Sequence, residues 1–239
     1  MERPLIAINA DVKCQKDLCF AVLQSGYYEA LQKANAVPVI IPPLRDISAI
    51  DCILNRVNGV VLSGGGDLDP ENDGWQRHAK TRCMHEARES FDRVFVRKIM
   101  EKKIPVLGIG AGMQLLNVAC DGHLSLHIPE DFPKAMDHRG KPGDLHHKHQ
   151  IYPRKGTWTH SVYGESNVFV TSYHHMCIQD LSTAFAISAV AGDNIIEAIE
   201  SRDPEWFAVG VQFHPEVPIS TALDDRLFEE FAMFCDPSC

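Results

Sequence analysis

His214 and Glu216 lie two residues apart, spaced as a general base and the group that orients it, with Pro215 fixing the turn between them. They close the run Gly210-Val211-Gln212-Phe213-His214-Pro215-Glu216. Far earlier, Pro105-Val106-Leu107-Gly108-Ile109-Gly110-Ala111-Gly112-Met113-Gln114 reads as an apolar strand, a tight glycine turn and a helix. That is the layout of an elbow that lifts one side chain above a sheet. The apex of this elbow is Gly110, which has no side chain to lift. The pattern is that of a nucleophilic catalytic scaffold with its base retained and its attacking atom absent.

Two more segments carry polar or glycine-rich chemistry: Val60-Val61-Leu62-Ser63-Gly64-Gly65-Gly66-Asp67-Leu68-Asp69-Pro70 and Ser172-Tyr173-His174-His175. Taken in order, the four motifs resemble the class I glutamine amidotransferase superfamily. The likeness is strongest to its γ-glutamyl hydrolase branch (peptidase C26-like), which includes γ-glutamyl-γ-aminobutyrate hydrolases. It runs from the first strand at Pro4 to the last helix near Phe231. In that family the elbow reads Gly-Ile-Cys-Arg-Gly-x-Gln. Gly110 and Ala111 stand here at the Cys and Arg positions, and two adjacent changes point to natural divergence more than to an engineered knockout.

The resemblance implies an α/β fold, a flavodoxin-like three-layer sandwich with a mostly parallel central sheet. It implies activity on γ-glutamyl C–N bonds, with Gly110 marking the missing nucleophile and His214 and Glu216 as base and orienter. Backbone amides at Gly65 and Ala111 would form the oxyanion hole and survive side-chain replacement. Asp69, Gln114, Ser172, Tyr173, His174 and His175 would line the substrate, Gln114 also bracing the elbow; Asn117 receives no catalytic role. Three readings follow: a binder of a γ-glutamyl or related metabolite without covalent catalysis, a hydrolase using water activated by His214 and Glu216, or a scaffold for a protein partner. Two alternative nucleophiles are poorly placed. Cys120 sits about 15 Å along the helix from Gly110 at 1.5 Å per residue, and no histidine can be set beside Ser63.

Composition narrows the partners. A net charge of −9 argues against a nucleic-acid surface. No apolar run approaches the length of a membrane span, and Met1-Glu2-Arg3-Pro4 lacks the pattern of a secretory leader, so a cytoplasmic protein is expected. The eight cysteines show no zinc-ribbon spacing and are expected to be reduced, with Cys235 and Cys239 as weak candidates for an intermolecular disulfide. His146, His147 and His149, with His138 and His160 nearby, lie in a stretch of loop composition without ligand spacing, so no metal and no cofactor are expected. The expected partner is a small γ-glutamyl-type molecule, with a homodimer possible. Delivery of ammonia to a synthase is not the expected role, a separate synthase chain being the alternative.

The elements that must position these residues alternate. Apolar strands are predicted at 5–9, 37–41, 59–62 and 106–109, and helices at 26–36 (capped by Ser25), 46–56, 86–103 and 113–119. Such alternation predicts a parallel sheet covered on both faces, with ligands at the carboxyl ends of the strands. Strands are predicted again at 168–172, 185–190, 195–199 and 207–213, then a helix at 221–234. Residues 128–160, rich in His, Pro, Lys and Gly, are predicted as a loop or lid, and the chain as one domain over 1–239.

Overall fold

The structure, a computed structural model, describes residues 3–141, 144, 146–165 and 168–236. In the first half the chain forms β1 (Leu5–Asn9), β2 (Asp11–Gln15), β3 (Leu18–Val22), α1 (Ser25–Lys33), β4 (Val37–Ile41), α2 (Ser48–Leu54), β5 (Gly59–Leu62), α3 (Glu86–Lys102), β6 (Val106–Ile109) and α4 (Ala111–Ala119). The second half adds β7 (His123–Ser125), α5 (Ile128–Asp131), β8 (Lys148–Pro153), α6 (Trp158–Tyr163), β9 (Val168–Thr171), β10 (Cys177–Asp180), β11 (Phe185–Ala191), β12 (Ile196–Ser201), β13 (Ala208–Val211) and α7 (Ala222–Phe234).

One nine-stranded sheet, ordered β4-β1-β5-β6-β13-β12-β11-β8-β9, runs through both halves. The five strands from β4 to β13 are parallel; from β13 outward every pairing is antiparallel. Residues along the parallel strands alternate between two cores. Ile6, Ile8, Val61, Leu107, Ile109, Val209 and Val211 pack with α1, α6 and α7. Ala7, Val60, Leu62, Val106 and Ala208 pack with α2, α3 and α4 on the other face. The fold is therefore α/β in three layers, and burial on both faces explains why these strands read as unbroken apolar runs. Phe228 and Phe231 of α7 are fully buried against the sheet, each contributing about 1.5–3 kcal/mol.

Several expectations are corrected. Residues 128–160 are not a loop throughout: β8 is an internal sheet strand whose His149 and Ile151 turn inward while Lys148 and Tyr152 stay exposed, and α5 and α6 flank it, while the described residues between α5 and β8 form neither helix nor strand. The consecutive polar residues Lys148, His149 and Gln150 disguised that strand. The hairpin of β2 and β3 was also unforeseen: its side chains are mostly exposed and it pairs with no strand of the main sheet. Ser25 is the first helical residue of α1, not its cap; the cap position is Gln24, which makes no side-chain capping bond. The cysteines are not all reduced: Cys14 and Cys19 face each other across the hairpin and form a disulfide. Cys235 is buried under Gly59 rather than exposed, and Cys239 lies outside the described residues.

Candidate functional site

Four strand ends converge at one edge. The Ser63–Gly66 turn leaves β5, the Gly110 turn leaves β6, Gln212 to Glu216 leave β13, and Ser172 to His175 leave β9. The last two are tied together where the His214 amide donates to the Thr171 carbonyl at 2.9 Å. These ends enclose a cavity of about 380 Å³ whose wall includes Gly65, Gly110, Ala111, Tyr173, His175 and His214.

The elbow has the backbone that the sequence motif predicts. Gly110 caps α4 at φ 56° and ψ −112°, a sparsely populated conformation that costs an L side chain about 1–3 kcal/mol. Its amide donates to the Val211 carbonyl at 2.8 Å, pinning the apex to β13. Gly112 is needed for packing, since a Cβ there would overlap the Leu62 carbonyl oxygen. A Cβ at Gly110 would stand 3.1 Å from His214 Cε1 and 3.4 Å from its Nε2. The imidazole therefore addresses the place where an elbow side chain begins.

The base is oriented from behind. His214 Nδ1 donates to Glu216 Oε1 at 2.9 Å, leaving the Nε2 lone pair toward the cavity. Tyr173 stacks on the imidazole at a centroid distance of 3.7 Å and 11° between planes, which fixes its rotation. Burial and then the nearby Glu216 carboxylate push the Tyr27 and Tyr173 phenols well above their ordinary range, so both stay neutral hydroxyls. The Tyr27 hydroxyl accepts the Gly64 amide at 2.8 Å and holds the glycine turn.

Beneath that turn lies a buried network that sequence reading missed. Arg88 is fully buried on α3; its Nη2 donates to the Ser63 carbonyl at 2.9 Å and its Nε to Asp92 at 3.1 Å. Its Nη1 lies 3.3 Å from Asp11. Asn9 completes the set, accepting the Ser63 amide at 2.7 Å and donating to Asp92 at 2.8 Å. An arginine and aspartate four apart on a helix read as a surface pair in sequence, and nothing marked them as buried.

Each expected site residue has a definite place. The Ala111 amide opens α4, where first-turn N–H groups lack helical acceptors, and Gly65 borders the same cavity. Gln114 also borders the cavity, its Nε2 donating to Gln212 at 3.0 Å. His175 Nε2 meets Asp67 at 3.0 Å. Ser172 is fully buried, with its hydroxyl committed to the His138 carbonyl at 2.7 Å. The His174 imidazole turns back, Nδ1 donating to the Met176 carbonyl at 2.9 Å and Nε2 lying 3.4 Å from Glu197. Asp69 is outside the cavity wall, capping the turn at Pro70–Asp73 and paired with Arg77. Asp67, two residues earlier, occupies the wall instead, with Lys13, Arg82 and Arg139. Cys120 is turned toward Met100, and burial raises its thiol to about 11.

The profile of the peptidase C26 family matches residues 4–216, which covers the sheet and all four strand ends. The chain belongs to the peptidase C26 family. A C26 relative from Mycobacterium tuberculosis, provisionally named a glutamine amidotransferase, is 33% identical over 233 residues, covering 95% of this chain and 73% of that protein. The γ-glutamyl-γ-aminobutyrate hydrolase PuuD of Escherichia coli K12 is 27% identical, covering 98% and 94%. Among solved structures, a Thermotoga maritima glutamine amidotransferase superposes with a TM-score of 0.60 at 16% identity, over 97% of this chain and 83% of that one. At that identity the likeness shows the fold alone. This C26 chain is thus glutamine amidotransferase-like in family and architecture.

Proposed function

We propose that this chain binds a γ-glutamyl or related small metabolite in the cavity over Gly110 and does not use covalent cysteine catalysis. The observation that carries the reading is the aim of His214 Nε2 at the vacant Cβ position of Gly110, with Glu216 behind it. The cavity wall suits a zwitterionic head group: Arg82, Arg139 and Lys13 offer cations to a carboxylate, and Asp67 offers an anion to an ammonium. Gly65 and Ala111 both border the cavity, and in this reading their amides hold the γ-carbonyl oxygen. The name of the hydrolase relative supplies the ligand class.

A second reading has its own support, since an intact base facing free space can activate water. His214 Nε2 would take a proton from water as the oxygen bonds to the amide carbon, Nδ1–H staying on Glu216, and the proton would then pass to the leaving amine. Loss of a nucleophile in a well-studied hydrolase costs about a million-fold in turnover and leaves roughly a thousand-fold over water, so this activity would be slow.

Thermal shift with γ-glutamyl-γ-aminobutyrate, followed by product analysis, tests both. Binding predicts a rise in melting temperature without consumption of the compound. No shift at millimolar ligand overturns the binding reading, and equal hydrolysis by wild type and His214→Ala overturns the water mechanism.

A further inference from the structure

Behind the cavity wall, four buried side chains from distant parts of the sequence meet. They are His138 from the loop before β8, His149 of β8, His174 after β9 and Glu197 of β12, exposed by 2%, 6%, 7% and 0%. Their nearest ligand atoms all lie within 4.8 Å of one another. His149 Nε2 and His174 Nε2 each stand 3.4 Å from Glu197 Oε1, and His138 Nδ1 stands 3.1 Å from it. His138 Nδ1 and His149 Nε2 are 3.2 Å apart.

The outer nitrogens decide the tautomers. His138 Nε2 faces Asp193 Oδ2 at 2.9 Å, His174 Nδ1 faces the Met176 carbonyl at 2.9 Å, and His149 Nδ1 faces the Gln150 carbonyl at 3.3 Å. Each of those partners only accepts, so each outer nitrogen carries the hydrogen. In the neutral rings the three inner nitrogens are then lone pairs, and all three point at a carboxylate oxygen. Among the described residues neither Glu197 oxygen nor His174 Nε2 has a hydrogen-bond partner. With all three rings neutral, four Lewis bases share one dry point with no donor between them, an arrangement that demands a cation, a metal ion or a shared proton.

We propose that His138, His149, His174 and Glu197 form a tetrahedral site for a divalent transition metal, zinc by preference. Ligand bonds of 2.0–2.1 Å give a tetrahedron whose edges are about 3.3 Å. The four inter-ligand distances above, 3.1 to 3.4 Å, match those edges. The Asp193–His138 contact is the carboxylate–histidine outer shell that such sites use to fix a ring and raise its basicity. All four ligands come from the protein, so the ion is structural and not catalytic. It clamps the segment that carries Tyr173, the ring stacked on His214. His146 and His147 stand apart from this group: His147 Nε2 instead donates to the Asp137 carbonyl at 2.8 Å.

The test is metal content. The chain is stripped with a chelator, reloaded with Zn²⁺ and desalted, then analysed by mass spectrometry for zinc; Co²⁺ loading is followed by visible absorption. The expected result is one equivalent per chain, a melting temperature that rises on reloading, and the intense visible bands of tetrahedral Co²⁺. Glu197→Gln and His149→Asn should each weaken metal affinity by more than about tenfold, while a His146→Ala, His147→Ala chain keeps the ion. If a ligand variant fails to fold, the wild-type stoichiometry and the Co²⁺ spectrum still decide. Retention of only trace zinc, with no zinc-dependent melting shift, overturns the proposal and leaves shared protons as the occupants. Undiminished zinc in the ligand variants, or loss of it in the His146, His147 variant, overturns it equally.

Discussion

In the proposed reading the chemistry turns on Gly110, which has only a hydrogen at the elbow apex. Gly110→Cys places a Cβ at φ 56°, in contact with His214, and should cost about 1–3 kcal/mol of stability through the strained backbone. In return it should gain turnover on γ-glutamyl amides, most readily with Ala111→Arg beside it; a folded double variant that stays inert would show that the rest of the site is incompetent. Arg139→Ala should weaken the ligand's thermal shift by about tenfold in affinity, the worth of a charge-assisted hydrogen bond. Titrating the shift against ligand concentration measures this. Arg88 is a different kind of residue. Arg88→Ala leaves Asp92 buried without its ion-pair partner and should destabilise by about 3–5 kcal/mol, read from denaturant midpoints, with Arg88→Met milder. Cys83 is exposed, but partial burial of its sulfur and the charge of Asp69 raise its thiol. Less thiolate at neutral pH means slower alkylation. Its rate should level off at a higher pH than that of an unperturbed thiol of pKa ~8.5. Mass-resolved labelling checks this, and Cys177 and Cys235, both buried and pushed up to about 12, should not label until the chain unfolds.

At the scale of elements, the sequence was legible where burial was two-sided. β1, β5, β6 and β13 are short apolar runs between glycine and polar punctuation, and their positions follow directly from that pattern. The elbow and the His214–Glu216 turn were equally legible, because backbone geometry there depends on glycine and proline at fixed places. Legibility failed where a strand buries polar side chains. β8 directs His149 inward toward Glu197, so its buried face looks hydrophilic in one dimension and only the pairing with β11 and β9 reveals it. It failed also for Arg88 and Asn9, whose burial is set by elements far away in sequence. The β2–β3 hairpin sets Asp11 and Lys13 against the cavity, while Leu18 and Phe20 project outward at 66% and 49% exposure. Its disulfide closes a short loop. Cys14→Ser, Cys19→Ser should therefore cost no more than about 2 kcal/mol on loop-entropy grounds, and the melting transition should remain single.

At the scale of the molecule, the sheet changes character at β13, parallel to β6 on one side and antiparallel to β12 on the other. The Val211 carbonyl takes the Gly110 amide, and the next residue, Gln212, gives its amide to the Glu197 carbonyl, both at 2.8 Å. This one short strand thus joins the elbow to the histidine cluster. Among the described strands it is the last in the chain. A nascent chain arrested before residue 208 holds β6 and β12 with nothing to bridge them, and it lacks the imidazole and carboxylate that follow. Neither the complete pocket nor its base can exist before β13 is made; both arrive together, as the sheet is closed from its middle.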